Sequence, residues 1–254
     1  MEKEGKYIYC IIGTKLERNF GPVGIGGRGD EVYSAGYGDL SMVVSASPIT
    51  RYTVSRENVL AHERVVEEVM KEFTVLPVRF CTIASGEDKI RNLLDRRRRE
   101  FKNLLRDIDY KVELNVRAIW KDMDMVFKEI LEENREIKSL KENIRNTGKT
   151  NTQTMLEIGR MVEHALKIKK EQESESIESV LKKVASDYRI NRNSDNKMFL
   201  NAAFLADKGR EKEFDNLIDD LGERYKDRVK FMYTGPFPPY NFATITIHPE
   251  EWEK

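Results

Sequence analysis

Residues 6–13 (KYIYCIIG) are β-rich and almost wholly apolar, the pattern of a strand buried on at least one side. Residues 21–29 are glycine-rich and read as a loop. Two strand-like runs follow at 31–38 and 40–47, with Gly38-Asp39 as the turn between them. Ser55 then N-caps a helix in which Val59, His62, Val66, Val69 and Phe73 recur at spacings of three and four. Residues 74–83 (TVLPVRFCTI) read as a strand, and Pro77 assigns it to an edge or a bulge. One long amphipathic helix is predicted from Glu87 to about Ile108, on the stripe Ile90, Leu94, Arg97, Phe101, Leu104 and Ile108. Residues 112–120 alternate as a further strand.

Beyond residue 122 the pattern changes. Glycine and proline almost vanish, Glu and Lys become dense, and two long helices are predicted at 124–146 and 151–188, separated by N-T-G-K-T. Residues 167–178 are nearly all polar, which predicts a solvated helix end or a break. The remainder reads as strands at 188–193 and 198–207, a helix at 210–225 and a strand at 228–233. Together with the strand at 112–120 this is β-α-β-β-α-β, the order of a ferredoxin-like split βαβ unit with an enlarged first helical segment. The expected fold class is α+β in two domains, each an antiparallel or mixed sheet with helices packed on it. A boundary near residue 110 gives an N-terminal domain at 1–109 and a C-terminal domain at 110–254. The latter holds the long-helix insertion (about 122–188) and a proline- and aromatic-rich C-terminal segment.

The 254 residues contain 44 Lys plus Arg and 44 Asp plus Glu, so the formal net charge is zero. That balance argues against a surface tuned throughout to nucleic acid or anionic membrane. Charged residues reach 35%, yet the apolar share of 39%, with 11 Phe and 10 Tyr, suffices for a sizeable core. Cys10 and Cys81 are too few for a disulfide framework or a multi-cysteine metal site and read as reduced thiols. No window approaches the ~20 apolar residues of a membrane span, and the apolar run at 7–12 is too short for a secretory core. A cytoplasmic protein is the expectation.

Motifs for catalysis are absent or misplaced. Gly24, Gly26 and Gly29 satisfy G-x-G-x-x-G, but a dinucleotide site needs those glycines to join a strand directly to a helix, and here a strand follows. Gly148-Lys149-Thr150 has Asn143 where a phosphate loop requires its first glycine. The three histidines, His62, His164 and His248, lack ligand spacing; His62, on an apolar stripe, reads as a core histidine. A Cys81–His62 nucleophile pair has no positive support. The basic run Arg96 to Arg99 lies mid-helix, where consecutive residues fan around the axis; only Arg97 falls on the apolar stripe, so it must snorkel, meet a carboxylate or face a partner. A ferredoxin-like regulatory or RNA-binding module is the alternative function, although no segment matches the aromatic and basic strand of an RNA-recognition module. No catalytic, cofactor or metal residues are assigned.

Two segments stand out. In residues 74–82 (TVLPVRFCT), Arg79 lies between apolar neighbours and should either meet an acid or lie on an exposed interaction face. In residues 234–242 (TGPFPPYNF), three prolines stiffen the backbone and should end sheet pairing after Tyr233, presenting Phe237, Tyr240 and Phe242. Such a segment suits either a partner-binding surface or a clasp on the chain's own domain junction. The candidate partner-binding residues are Arg79, Phe80, Arg97, Phe237, Pro238, Pro239, Tyr240 and Phe242.

With their surroundings, these segments resemble the gas vesicle protein L/F family (GvpL/GvpF). The resemblance is carried by YIYCII at 7–12, VYSAGYGDLSMVVS at 32–45, ENVLAHERVVEEVM at 57–70 and TVLPVRFCT at 74–82. It continues in KVELNVRAIW at 111–120, FLNAAFLAD at 199–207 and YTGPFPPYNF at 233–242. Two positions depart from it: the family usually has R-F-G-T where this chain has Cys81, and G-P-W-P-P-Y where it has Phe237. The resemblance implies a ferredoxin-like first domain, a modified version in the second and no enzymatic chemistry. It also implies a role as an accessory protein in gas vesicle assembly that contacts the hydrophobic shell subunit and other accessory gas vesicle proteins. The sequence leaves open the oligomeric state and the choice between an L-like and an F-like role.

Overall fold

A computed structural model describes residues 3–147, 152–193, 195–248 and 251. The tripeptide Gly148-Lys149-Thr150 lies outside the described residues. The chain divides into two compact units, Met1–Glu113 with Gly235–Lys254, and Leu114–Thr234.

The first unit is built on a five-stranded sheet in the order β2-β3-β4-β1-β5. Its strands are β1 (Glu4–Ile12), β2 (Asn19–Gly21), β3 (Val32–Tyr37), β4 (Leu40–Pro48) and β5 (Val75–Ala84). The pairings of β1 with β4 and β5, of β2 with β3 and of β3 with β4 are all antiparallel. β1 lies between β4 and β5, and Tyr7 through Ile12 are all buried, which is why its apolar run is nearly continuous. Tyr37 pairs with Leu40, so Gly38-Asp39 forms the expected two-residue turn, with Gly38 at φ 66°. The short strand β2 lies where the sequence predicts no strand, since its three residues carry no alternation.

Helix α1 (Arg56–Met70) begins at the Ser55 cap, whose side chain accepts the Asn58 amide, and buries His62, Val65, Val66 and Val69. The long helix expected at 87–108 is two helices, α2 (Glu87–Arg96) and α3 (Arg98–Asp107). Arg97, at φ −98° and ψ 15°, interrupts the helical geometry while its amide still donates to the Leu93 carbonyl. Arg97 is half-buried beneath two carboxylates and over a ring, and the helix bends where that cation is accommodated.

The second unit has a four-stranded sheet in the order β7-β8-β6-β9, from β6 (Lys111–Trp120), β7 (Asp187–Ile190), β8 (Met198–Asp207) and β9 (Val229–Phe237). Helices α4 (Met123–Glu133), α5 (Arg135–Thr147) and α6 (Thr152–Leu181) fill the long insertion, and α7 (Glu211–Arg224) follows β8. α7 buries Phe214, Ile218 and Leu221, with Phe214 5.5 Å from the Phe204 ring and 5.8 Å from that of Tyr233. Burying each such side chain contributes roughly 1.5–3 kcal/mol.

The polar run at 167–178 does not break the helix; α6 runs through it because its charges are paired within the unit. Arg228 grips Glu129 with both guanidinium ends (2.6 and 2.8 Å) and Glu173 with two more bonds (2.6 and 3.2 Å). Trp120 Nε1 donates to Glu173 at 2.7 Å, and Lys169 lies 3.0 Å from Glu129 and 2.8 Å from Glu133. Arg228, then Lys169, hold the Glu129 carboxyl down at about 2.

Sheet pairing does not stop at Tyr233. β9 continues through Gly235 and Pro236, joined by a cis peptide bond, to Phe237. Proline is tolerated at this edge of the sheet because an edge strand has no neighbour on one side to receive its missing amide. A single helical turn, α8 (Tyr240–Ala243), follows, held by Glu113, a buried carboxylate that accepts both the Asn241 amide (2.7 Å) and its side-chain nitrogen (2.6 Å).

Candidate functional site

β5 is an edge strand with an interruption. Against β1 it pairs Val75, Leu76 and Pro77 with Ile12, Ile11 and Cys10, and resumes with Thr82 opposite Ile8. Between these pairs β1 has only Tyr9, whereas β5 has Val78, Arg79, Phe80 and Cys81. The four residues bulge, and their backbone groups lose the ladder partners that a regular strand would supply.

Side chains replace those partners. The Tyr7 hydroxyl accepts the Cys81 amide at 2.9 Å and lies 3.0 Å from His62 Nδ1, while His62 donates to the Val78 carbonyl. Thr82 Oγ1 donates to the Arg79 carbonyl at 2.6 Å. On the outer side, Ile245 forms a parallel bridge: its amide donates to Pro77 (2.7 Å) and its carbonyl accepts from Arg79 (2.9 Å). The buried histidine on the α1 stripe is therefore explained by the bulge it stitches. Burial holds its imidazole neutral and lowers its pKa to about 4. Burial likewise raises the phenol of Tyr7, and that of the neighbouring Tyr9 to about 12.

The bulge forms one wall of a groove of about 810 Å³. Arg79, Phe80 and Ile83 come from β5, Arg51 and Val54 from the segment before α1, and Ile247 from the C-terminal segment. Arg79 and Arg51 are exposed, and neither has an ion-pair partner among the described residues. Phe80 is half-buried, edge-on to Tyr7 and His62, and offers one side to the groove. Val54 is 84% and Ile49 43% exposed at the same groove, an apolar display that needs a reason.

Of the sequence candidates, Arg79 and Phe80 meet here and the others do not. Arg97 is engaged within the chain: it pairs with Glu100 at 2.6 Å and Glu251 at 3.1 Å, and lies 4.8 Å from the Phe101 ring centroid. Pro238 and Pro239 are buried, and Phe237, Tyr240 and Phe242 are half-buried. The Tyr240 hydroxyl is buried with no hydrogen-bond partner among the described residues. Arg51, Ile49 and Val54 were missed because they lie in an irregular stretch, where no periodicity marks a residue as facing β5.

The chemistry of the alternatives is also visible. Cys81 Sγ accepts the Tyr52 amide at 3.3 Å, and among the described residues no hydrogen bond joins it to His62. The basic run is dispersed: Arg96 bonds the Glu251 carbonyl, Arg97 pairs with Glu100 and Glu251, and Arg98 pairs with Asp39 at 2.8 Å. It presents no single cationic face to a nucleic acid. Glycines 24, 26 and 29 precede β3, a strand, so no helix N-terminus stands where a dinucleotide phosphate would need one.

Two antiparallel sheets with helices packed on them, with a groove lined by arginines and apolar side chains at one sheet edge, define an α+β scaffold. The chain belongs to the gas vesicle synthesis protein GvpL/GvpF family, whose model matches residues 5–244. It is 30% identical to gas vesicle protein F of a Streptomyces strain, over 93% of this chain and 98% of that one. It is 28% identical to gas vesicle protein F1 of Halobacterium salinarum, over 98% and 97% respectively. In structure it is similar to GvpF from Anabaena sp. PCC7120, with a TM-score of 0.84 at 24% identity, covering 96% of this chain and all of that one. GvpF from Microcystis aeruginosa gives a TM-score of 0.79 at 24% identity, over 95% and 99%. Family membership implies a role in gas vesicle formation. No described helix is long and apolar enough to cross a membrane.

Proposed function

We propose that this chain is a non-enzymatic accessory protein of gas vesicle assembly, acting in the cytoplasm and at the vesicle, which contacts the hydrophobic shell subunit and other accessory gas vesicle proteins. The observation that carries the reading is the β5 groove, where Phe80, on an internally hydrogen-bonded bulge, is joined by Ile49 and Val54 from the stretch between β4 and α1 in offering apolar surface. A preformed surface binds with little ordering cost, and an apolar one masks apolar segments of a building block. This favours a chaperone-like contact over a purely structural one. The strand order β7-β8-β6-β9 supports a ferredoxin-like reading of the second unit. Phe237 and its neighbours are proposed to support the C-terminal segment that lines the groove.

Co-expression tests the reading. The shell subunit expressed with this protein should remain in the soluble fraction and co-purify with it, and without it should sediment. Equal solubility in both cases, with no co-purification, would end the proposal.

A further inference from the structure

We infer that the β5 groove is selective for a peptide segment in which apolar residues alternate with carboxylates, recognised by Arg79 and Arg51 together. The inference rests on the reading of this groove as the contact surface and adds the chemistry of what it takes. Its described lining contains two arginines and no Asp or Glu, in a chain where acids and bases are equal in number. Elsewhere Arg18, Arg28, Arg97, Arg98, Arg210 and Arg228 have carboxylate partners, while others such as Arg64, Arg99 and Arg117 have none among the described residues. What sets Arg51 and Arg79 apart is that both line one groove that no described Asp or Glu lines. They have no carboxylate partner among the described residues, although both line the groove together with Phe80, Val54 and Ile83, beside which a carboxylate would be partly desolvated and its pairing strengthened.

The shape suits an extended chain. β5 already accepts one from the outside, because Ile245 adds to it in parallel at Pro77 and Arg79, and the groove continues from there past Phe80 to Ile83. In an extended segment alternate side chains point to opposite sides, so apolar residues can face Phe80 and Val54 while the intervening carboxylates reach the two guanidiniums.

Cys81 supplies the readout, since it lines the groove and is half-exposed while Cys10 is fully buried. The full-length protein is alkylated with iodoacetamide in the presence of acetylated hexapeptides that alternate Val with Glu, Gln or Lys. The Glu peptide should protect Cys81, with affinity about tenfold above the Gln peptide, an advantage that fades with added salt, while the Lys peptide should not protect. Arg79→Glu should reverse the order of the Glu and Lys peptides, and Arg51→Glu should do the same if Arg79→Glu fails to fold. Equal protection by all three peptides, or protection by none, overturns the inference. Co-purification of the shell subunit with the wild-type protein, measured alongside, separates the outcomes. Its loss defeats the functional reading, whereas its persistence unchanged in the charge-reversed variants defeats only the selectivity.

Discussion

Cys81 has φ 65°, a left-handed backbone that costs a side-chain-bearing residue roughly 1–2 kcal/mol relative to glycine. That is the position where the family resemblance leads one to expect glycine, so a mild-looking departure in the sequence falls on the one residue of the bulge with a special backbone. Cys81→Gly should raise stability by about 0.5 kcal/mol, after allowance for the freedom glycine adds to the unfolded chain, and Cys81→Val should lower it by at least about 1 kcal/mol. Urea unfolding measures both, and the reverse order would contradict the account. His62 makes a pH prediction. Its folded pKa of about 4 lies below the ordinary value of 6.5, so the unfolded chain takes up the proton first. Its contribution is therefore complete above pH 6.5, is lost as pH falls from there through about 4, and amounts to about 3 kcal/mol across that window. The stability difference between wild type and His62→Gln should shrink over that range; a difference independent of pH would contradict it. That His62 is a core residue was legible in its place on the stripe. Its partners, the Val78 carbonyl and Tyr7, were not, because they meet it only through the bulge.

At the level of elements, periodicity located the long strands and helical stretches of the described residues, since burial on one face imposes its own spacing. It did not locate the breaks within them: the stretch read as one helix at 124–146 is split at Asn134, and the helix read to 188 ends at Leu181. It failed where a local feature is set by a distant contact. The break at Arg97 follows from a cation beneath Glu100 and Glu251, and the extension of β9 through Pro236 follows from its edge position. The unbroken α6 is the most instructive case: Lys169 and Glu173 looked like solvated polar residues, and instead join α6 to α4 and to the start of β9 through Arg228. Arg228→Met leaves Glu129 and Glu173 without their shared cation and should cost about 2 kcal/mol in urea unfolding at neutral pH. Because the Glu129 carboxyl is held down at about 2, the wild-type advantage is present above pH 4.5 and declines as pH falls from there through about 2. A variant as stable as wild type at pH 7 would show that the network contributes nothing.

For the whole molecule, the family was legible from seven segments spread along the chain, and the family match over residues 5–244 bears this out. The proposed contact surface was legible only in part. Arg79 and Phe80 stood out as a guanidinium and an aromatic in an apolar strand, whereas Val54 and Arg51 reach the same groove from a stretch without pattern. The central claim is that a preformed groove, and no covalent step, accounts for this protein's part in vesicle formation. Its most direct measurement is quantitative co-purification of the shell subunit with wild-type protein, Val54→Asp and Met155→Asp, two substitutions at exposed positions, each expected to change stability by no more than about 0.5 kcal/mol. The account predicts that Val54→Asp lowers recovery about tenfold while Met155→Asp matches wild type. Full recovery with Val54→Asp and loss with Met155→Asp would move the contact to α6 and contradict it.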